Sequence, residues 1–399
     1  MIVTGLFALA LLVSSTNGLA LPSIPFTGFE STSQSFIVKL KSGHSCQSHF
    51  SRIKESLTKV ESSRATHFDS RVFNGYAIKL DDQATVRSLS LLDSVEYVER
   101  DVEFSVASLI TQTNAPWGLQ AITRSIPFPA SNKSSAALNY VYDYDSSAGQ
   151  GVDIYILDSG VYSNHTDFAN RVEQSPVFAR YTTTGDVFGH GTHVAGIAAG
   201  TRFGVAKQAR IIDVKVITDT GRGFASDIIA GLGWAVAHAN STGRPSVFNL
   251  SLGGGTSTAL DDAVMGTVNA GIHTVVAAGN ANIDASGWSP AKVPGVIAVG
   301  NVDINGVRSE TSNYGPPVTV FAPGVNITSA GIDNPTSSRV DSGTSMATPH
   351  VAGLIAYLIG LEGPRTPSEM KSRVQELALK NVLSGIPNGT VNLMSQNIL

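Results

Sequence analysis

The stretch Val152-Asp-Ile-Tyr-Ile-Leu157-Asp158-Ser159-Gly160 decides how the chain is read. Val152 to Leu157 is nearly continuous in β-branched, aromatic and aliphatic residues, as expected of a strand covered on both faces. It ends abruptly at an acid followed by a small turn. The same grammar recurs downstream. Ile211 to Val216, Val247 to Leu252, Thr274 to Ala277 and Val296 to Val299 read as strands. His193 to Gly200, Asp227 to Ala239, Leu260 to Ala270 and Thr348 to Leu361 read as helices. Apolar strands separated by helices predict an α/β fold, a parallel sheet with helices on both faces. In such sheets chemistry gathers beyond the carboxyl ends of the strands.

Upstream of this region the pattern changes. Ser35 to Leu40, Ala77 to Leu80 and Val95 to Phe104 read as strands, with helices at His49 to Val60 and Asp82 to Leu92. This order fits a small α+β (β-α-β-β-α-β) domain, and the junction Ser105 to Thr113 is the boundary expected from the sequence. At the N-terminus, Leu6 to Val13 is too short to span a bilayer. Gly18-Leu19-Ala20 follows as a small-x-small site, so residues 1–20 read as an export signal despite lacking Lys or Arg. The division is therefore 1–20, 21–109 and 110–399.

With 42% hydrophobic and 15% charged residues among 399, the chain is not of the disordered class. A net charge of −4 gives no basic surface for nucleic acid or an anionic membrane. Cys46 is the single cysteine, which excludes an internal disulfide and a Cys-based zinc site. Asn132, Asn164, Asn240, Asn326 and Asn388 head glycosylation sequons. Asn249 also matches the pattern but lies in an apolar run and is expected to be buried and unmodified.

Three short stretches carry chemistry: Leu157-Asp158-Ser159-Gly160, Gly189-His190-Gly191-Thr192-His193-Val194-Ala195-Gly196, and Ser342-Gly343-Thr344-Ser345-Met346-Ala347-Thr348-Pro349-His350. Alone, Asp158 reads as a turn acid, His190 as a turn histidine and Ser345 as a helix cap. Together they supply a hydroxyl nucleophile, a base to take its proton and an acid to orient that base. Ser345 is expected just before a helix opened by Ala347-Thr348-Pro349, where the positive helix end favours a developing anion. His193 does not form an HExxH metal pattern. His273 and His350 read as structural, and Asp186 as a loop charge.

In the order Asp, His, Ser, these stretches resemble the subtilisin family of serine proteases, most nearly its proteinase K branch of secreted fungal enzymes. The likeness runs from Gln112-Thr-Asn-Ala-Pro-Trp-Gly-Leu119 to Gly389-Thr-Val-Asn-Leu393. It implies that Asn280 donates its side-chain amide to the oxyanion. It implies that Gly221 and Gly223, around an exposed Arg222, and Ser251, Leu252 and Gly253 sandwich an extended peptide, and that Ala277, Ala278 and Gly279 line a roomy primary pocket. Residues 21–109 resemble the inhibitory propeptide of that family, on the strength of Phe36-Ile-Val-Lys-Leu40 and Val95-Glu-Tyr-Val-Glu-Arg-Asp101. The mature chain would begin near Ile110, with Val106 to Leu109 lying in the cleft before self-cleavage.

The resemblance also sets expectations about ligands and setting. The resemblance implies calcium sites, but Thr319 and Val382 replace their expected carboxylates; no other metal or cofactor is expected, and calcium stays open. The product is expected to be a secreted, monomeric endopeptidase with protein substrates, of broad specificity for large apolar residues, with keratin degradation and fungal virulence as extensions of the likeness. A catalytically silent binding protein and an esterase are the alternatives, disfavoured by the full set of residues and by the absence of GxSxG around Ser345.

Overall fold

A computed structural model of the chain describes residues 35–54, 56–80, 82–101, 109–123 and 134–397. The export signal, Asn132 and Val106 to Ser108 therefore lie outside the described residues.

The N-terminal domain contains β1 (Ser35–Leu40), α1 (Cys46–Ile53), β2 (Ala65–His67), β3 (Gly75–Lys79), α2 (Gln83–Ser90) and β4 (Val95–Arg100). This is the expected β-α-β-β-α-β order, and β2 supplies the strand that the sequence reading had not located. The four strands pair antiparallel in the order β2-β3-β1-β4. Phe36, Val38, Tyr76, Ile78 and Leu89 fill the core between sheet and helices. Both helices start at a side-chain cap: Ser45 and Ser48 cap α1 reciprocally, and Asp82 accepts from Thr85 N–H at α2.

The larger domain follows with β5 (Leu109–Ala115), α3 (Trp117–Ala121), β6 (Tyr140–Asp145), β7 (Asp153–Asp158), β8 (Val172–Gln174), α4 (His190–Ala199), β9 (Arg210–Lys215), α5 (Ala225–Thr242) and β10 (Ser246–Leu250). Next come β11 (Gly254–Gly255), α6 (Thr258–Asn269), β12 (His273–Ala277), β13 (Trp288–Ser289), β14 (Ile297–Val302) and β15 (Val318–Pro323). The chain closes with β16 (Ile327–Ala330), β17 (Ser338–Asp341), α7 (Thr344–Glu362), α8 (Pro367–Leu377), β18 (Leu379–Lys380) and β19 (Leu393–Met394).

Nine strands form the central sheet in the order β18-β19-β15-β14-β12-β10-β7-β9-β8, parallel throughout except for the edge strand β18. Chain order reverses beside β7: β8 and β9 lie on one side of it, and β10, β12, β14, β15, β19 and β18 on the other. That switch point opens a crevice at the strands' carboxyl ends. Helices α4 and α7 pack against one face with Ile154, Ile156 and Val299. Helices α5 and α6 cover the other, over Tyr155, Leu157 and Phe248. Among the described residues α7 alone is long and apolar enough to cross a membrane, and most of it is buried in this core.

Helix bounds shift from expectation: α1 spans Cys46–Ile53 rather than His49 to Val60, α5 and α6 each start two residues early, and two further starts matter for the site. Helix α4 begins at His190 rather than His193, because Gly189 takes a left-handed conformation (φ 88°) and neighbouring side chains satisfy the first turn. Helix α7 begins at Thr344 rather than at Thr348, with Pro349 inside it. Strands β5, β6, β8, β11, β13 and β15 to β19, and helices α3 and α8, were not anticipated. β5 and β6 are too polar to stand out, and Pro316-Pro317 masks the start of β15.

Leu109 also departs from expectation. It does not line the cleft: it is 64% exposed and opens β5, paired with Asp145 of β6. Its backbone is engaged by β6, so entry of the Val106 to Leu109 segment into the cleft requires β5 to peel from β6.

Candidate active site

The buried strand β7 ends on Asp158, which is 1% exposed. Its Oδ1 accepts from Ser159 N–H at 2.7 Å and faces His190 Nδ1 at 2.7 Å. A carboxylate oxygen can only accept, so Nδ1 carries the proton and Nε2 keeps its lone pair. Burial opposes charge on the His190 ring. The charge and hydrogen bond of Asp158 outweigh that cost, with Asp341 and Asp186 adding to them, and the imidazole pKa is raised above its ordinary 6.5.

Ser345 stands in the first turn of α7, not before it. Its N–H has no acceptor one turn back, as in any first turn. Its Oγ donates to the carbonyl of Ser251 at 3.1 Å, and must turn from there toward Nε2 of His190 to lose its proton. In return, Ser251 Oγ donates to the carbonyl of Ser345 at 2.8 Å. Pro349 explains why that carbonyl is available: lacking an N–H, it cannot make the bond that residue 349 would normally give to residue 345. Buried Asn249 holds the Ser251 hydroxyl from behind at 3.0 Å.

Asn280 follows β12 and faces the same cleft. Its Oδ1 accepts from Thr344 N–H at 2.8 Å and Thr344 Oγ1 at 3.0 Å. A backbone N–H can only donate, so the oxygen must face it and Nδ2 points the other way. The donor is thereby fixed beside the nucleophile, and Thr344 is a site residue that the sequence reading passed over.

Asp158, His190, Asn280 and Ser345 all border a single cleft of about 490 Å³. Gly221, Gly223, Ser251, Leu252, Gly253, Ala277 and Gly279 border it too. Ala278 does not. It is fully buried and packs into the α4/α7 core, because successive residues at a strand end point to opposite faces. The turn carrying Gly221 and Arg222 closes on itself, with Thr218 N–H donating to Arg222 carbonyl at 2.8 Å. Arg222 is exposed, as a solvated arginine. Trp288 is a further lining residue: its indole lies across the backs of Gly253 and Gly279, where an added Cβ at either would sit 2.6 Å from Nε1. Only the pairing of β11 with β13 brings it there, and nothing in the local sequence signals it.

His193, His273 and His350 are buried and structural. His193 Nε2 faces the carbonyls of Ile327 and Arg339 at 3.0 and 3.1 Å, and burial pulls its pKa down to about 4. Burial likewise holds His273 and His350 at about 4. Thr319 Oγ1 accepts from Ala298 N–H inside the sheet at 3.3 Å, and neither the Thr319 nor the Val382 side chain carries the carboxylate expected there. Asn249 is fully buried, as expected, while Asn164, Asn240, Asn326 and Asn388 are exposed. Asp186 is not the loop charge the sequence suggested: both of its oxygens are engaged around His190.

A hydroxyl, a neutral imidazole oriented by a buried carboxylate, and a fixed amide donor at a parallel-sheet switch point form an arrangement suited to acyl transfer. Residues 149–392 match the subtilase family model, and residues 35–107 match peptidase inhibitor I9. The chain belongs to the subtilase family and is a serine endopeptidase with an inhibitory propeptide domain at its N-terminal side. It is 40% identical over 378 residues to an alkaline serine protease of Corniculantispora psalliotae, covering 94% of this chain and 93% of that protein. It is 39% identical over 337 residues to a cuticle-degrading protease of Metarhizium anisopliae, covering 84% and 83% of the two chains. The crystal structure of a cold adapted subtilisin-like serine proteinase superposes with a TM-score of 0.64 at 38% identity, covering 72% of this chain and 99% of the other.

Proposed function

We propose that Ser345, His190 and Asp158 are the nucleophile, base and orienting acid of a secreted endopeptidase of broad specificity, made as a self-processing zymogen. The observation that carries this reading is the meeting of all three with Asn280 at the carboxyl ends of β7 and β12 and the start of α7. Ser345 Oγ attacks the scissile carbonyl as its proton passes to His190 Nε2, while Asp158 holds Nδ1 and stabilises the imidazolium. The tetrahedral oxyanion is met by Asn280 Nδ2 and the N–H of Ser345. His190 returns the proton to the leaving amine, and water repeats the cycle on the acyl-enzyme. A fluorophosphonate probe should label Ser345, and the mature enzyme should cleave peptide amides. Labelling elsewhere, or hydrolysis of esters alone, overturns the assignment.

Substrate is expected to lie extended between Gly221–Gly223 and Ser251–Gly253 as an added strand. The residue before the scissile bond then enters the pocket of Ala277, Gly279 and Trp288, whose small and apolar walls suit a large apolar side chain. Cleavage-site profiling on a peptide library should show Phe, Tyr, Leu or Met there, and dominant cleavage after Arg or Lys refutes the pocket model. The cuticle-degrading activity named for the Metarhizium relative supports an extracellular structural protein, keratin included, as substrate and a role in fungal virulence. Export directed by residues 1–20, removal of residues 21–109, action as a monomer, and glycans on Asn132, Asn164, Asn240, Asn326 and Asn388 complete the proposal.

No calcium is assigned at Thr319 or Val382. A site occupied at 100 times its Kd contributes about 2.7 kcal/mol, which moves a melting temperature by several degrees. EDTA should therefore leave the Tm of the mature enzyme unchanged, and a fall of several degrees reversed by calcium shows a site elsewhere.

A further inference from the structure

Asp186 precedes His190 by four residues, in the loop leading into α4. Its Oδ1 accepts from Gly189 N–H at 2.8 Å, Phe188 N–H at 3.2 Å and Ser159 Oγ at 2.9 Å. Its Oδ2 accepts from Thr192 N–H at 2.9 Å and Thr192 Oγ1 at 2.6 Å. The carboxylate thus grips the backbone on both sides of His190. Ser159 extends the grip: its Oγ accepts from Gly191 N–H at 2.9 Å, and it directly follows Asp158. Thr192 Oγ1 in turn accepts from Tyr162 N–H at 2.9 Å. The two segments touch backbone to backbone, since a Cβ on Gly191 would sit 2.2 Å from the carbonyl oxygen of Gly160.

We propose that Asp186 is a positioning residue for the reaction: it locks the first turn of α4 onto the end of β7, so that His190 is held against Asp158, and it lends its negative charge to the field on the His190 ring. This rests on the assignment of His190 as the base. A structural cap needs only acceptors. Here the acceptor is a full charge, among the groups that favour the imidazolium together with Asp158 and Asp341. The other charged or titratable groups around this loop are Arg339, paired with Asp341 at 2.7 Å on β17, His193 one turn further along α4, and Asp213 and Lys215 on β9. Asp213 lies near enough for Asp186 and Asp158 to disfavour its ionisation.

Asp186→Asn keeps the shape but removes the charge and half of the acceptor capacity. Its kcat should fall about tenfold with KM within about twofold, because positioning acts on the reacting geometry rather than on binding. The acid limb of its kcat/KM profile, centred above pH 6.5 in the wild type, should move down by about half a pH unit, since loss of a nearby negative charge makes the imidazolium easier to deprotonate. Asp186→Glu should return the limb to its wild-type position. Ser159→Ala keeps the charge and cuts the bridge, so kcat should fall severalfold with the limb unmoved. Wild-type kcat in Asp186→Asn, or a loss with the limb in place, overturns the proposal. Where Asp186→Asn yields no folded enzyme, Ser159→Ala decides, and an unaltered kcat overturns it. His190→Ala tests the underlying assignment separately: retention of substantial turnover shows that another group is the base, whatever Asp186 does.

Discussion

Ser345→Ala is expected to lower kcat by about 10⁶, the size known for deletion of the nucleophile in subtilisin itself. The substitution removes one hydroxyl at the wall of an open cleft and leaves the first turn of α7 intact, so folding should survive. One tether is lost, from Ser345 Oγ to the Ser251 carbonyl, but the reverse tether from Ser251 Oγ to the Ser345 carbonyl uses backbone and persists. The same variant tests maturation. Expressed in a host without related proteases, it should accumulate as the unprocessed precursor, whereas wild type should begin within a few residues of Ile110 on N-terminal sequencing. Normal trimming of the alanine variant shows that another enzyme makes the cut. Because Leu109 pairs with Asp145 in the uncleaved chain, self-cleavage also implies that β5 leaves β6 before the bond is broken.

Asn280→Ala should cost about 10²–10³ in kcat with KM little changed, the magnitude found for the corresponding oxyanion donor of subtilisin. The amide develops its interaction only as charge builds on the substrate oxygen, so ground-state binding does not use it. Thr344 makes the prediction sharper. With Asn280 Oδ1 pinned by both donors of Thr344, the side chain pays little entropy to hold its NH₂ in place. Steady-state kinetics on one peptide amide will decide, and a loss confined to KM shows that Asn280 binds substrate instead of stabilising the oxyanion.

Much of this was legible in the chain. The strands β7, β10, β12 and β14 are largely apolar runs, because a parallel sheet buried on both faces favours them, and β9 was legible from Ile211, Ile212 and Val214 between its charges. The three motifs around Asp158, His190 and Ser345 announced the chemistry because each joins a reactive side chain to small neighbours at an element end. What escaped the reading depends on contacts distant in sequence. Pro349 looked like the opening of a helix, but it lies inside α7, where the Ser251 hydroxyl just past the end of β10 takes the Ser345 carbonyl that Pro349 leaves free. Asp186 looked like a solvated charge, because its partners Ser159 and Thr192 reveal themselves only once β7 and α4 are adjacent. Ala278 was misplaced and Trp288 passed over for a simpler reason: the small run Ala277 to Gly279 suggested a small lining, but pleat alternation turns Ala278 inward and a short pairing of β11 with β13 brings an indole into the wall.

The paired tethers between Ser251 and Ser345 have a consequence for anyone wishing to redesign the enzyme. The strand end that a peptide must lie along and the residue that attacks it are joined through two hydrogen bonds, one in each direction. Selectivity and speed therefore share a hinge. A change that widens or tilts the Ser251–Gly253 edge to admit a new side chain also drags on the attacking hydroxyl. The edge tied to the nucleophile is therefore the part of the cleft where sequence has little freedom.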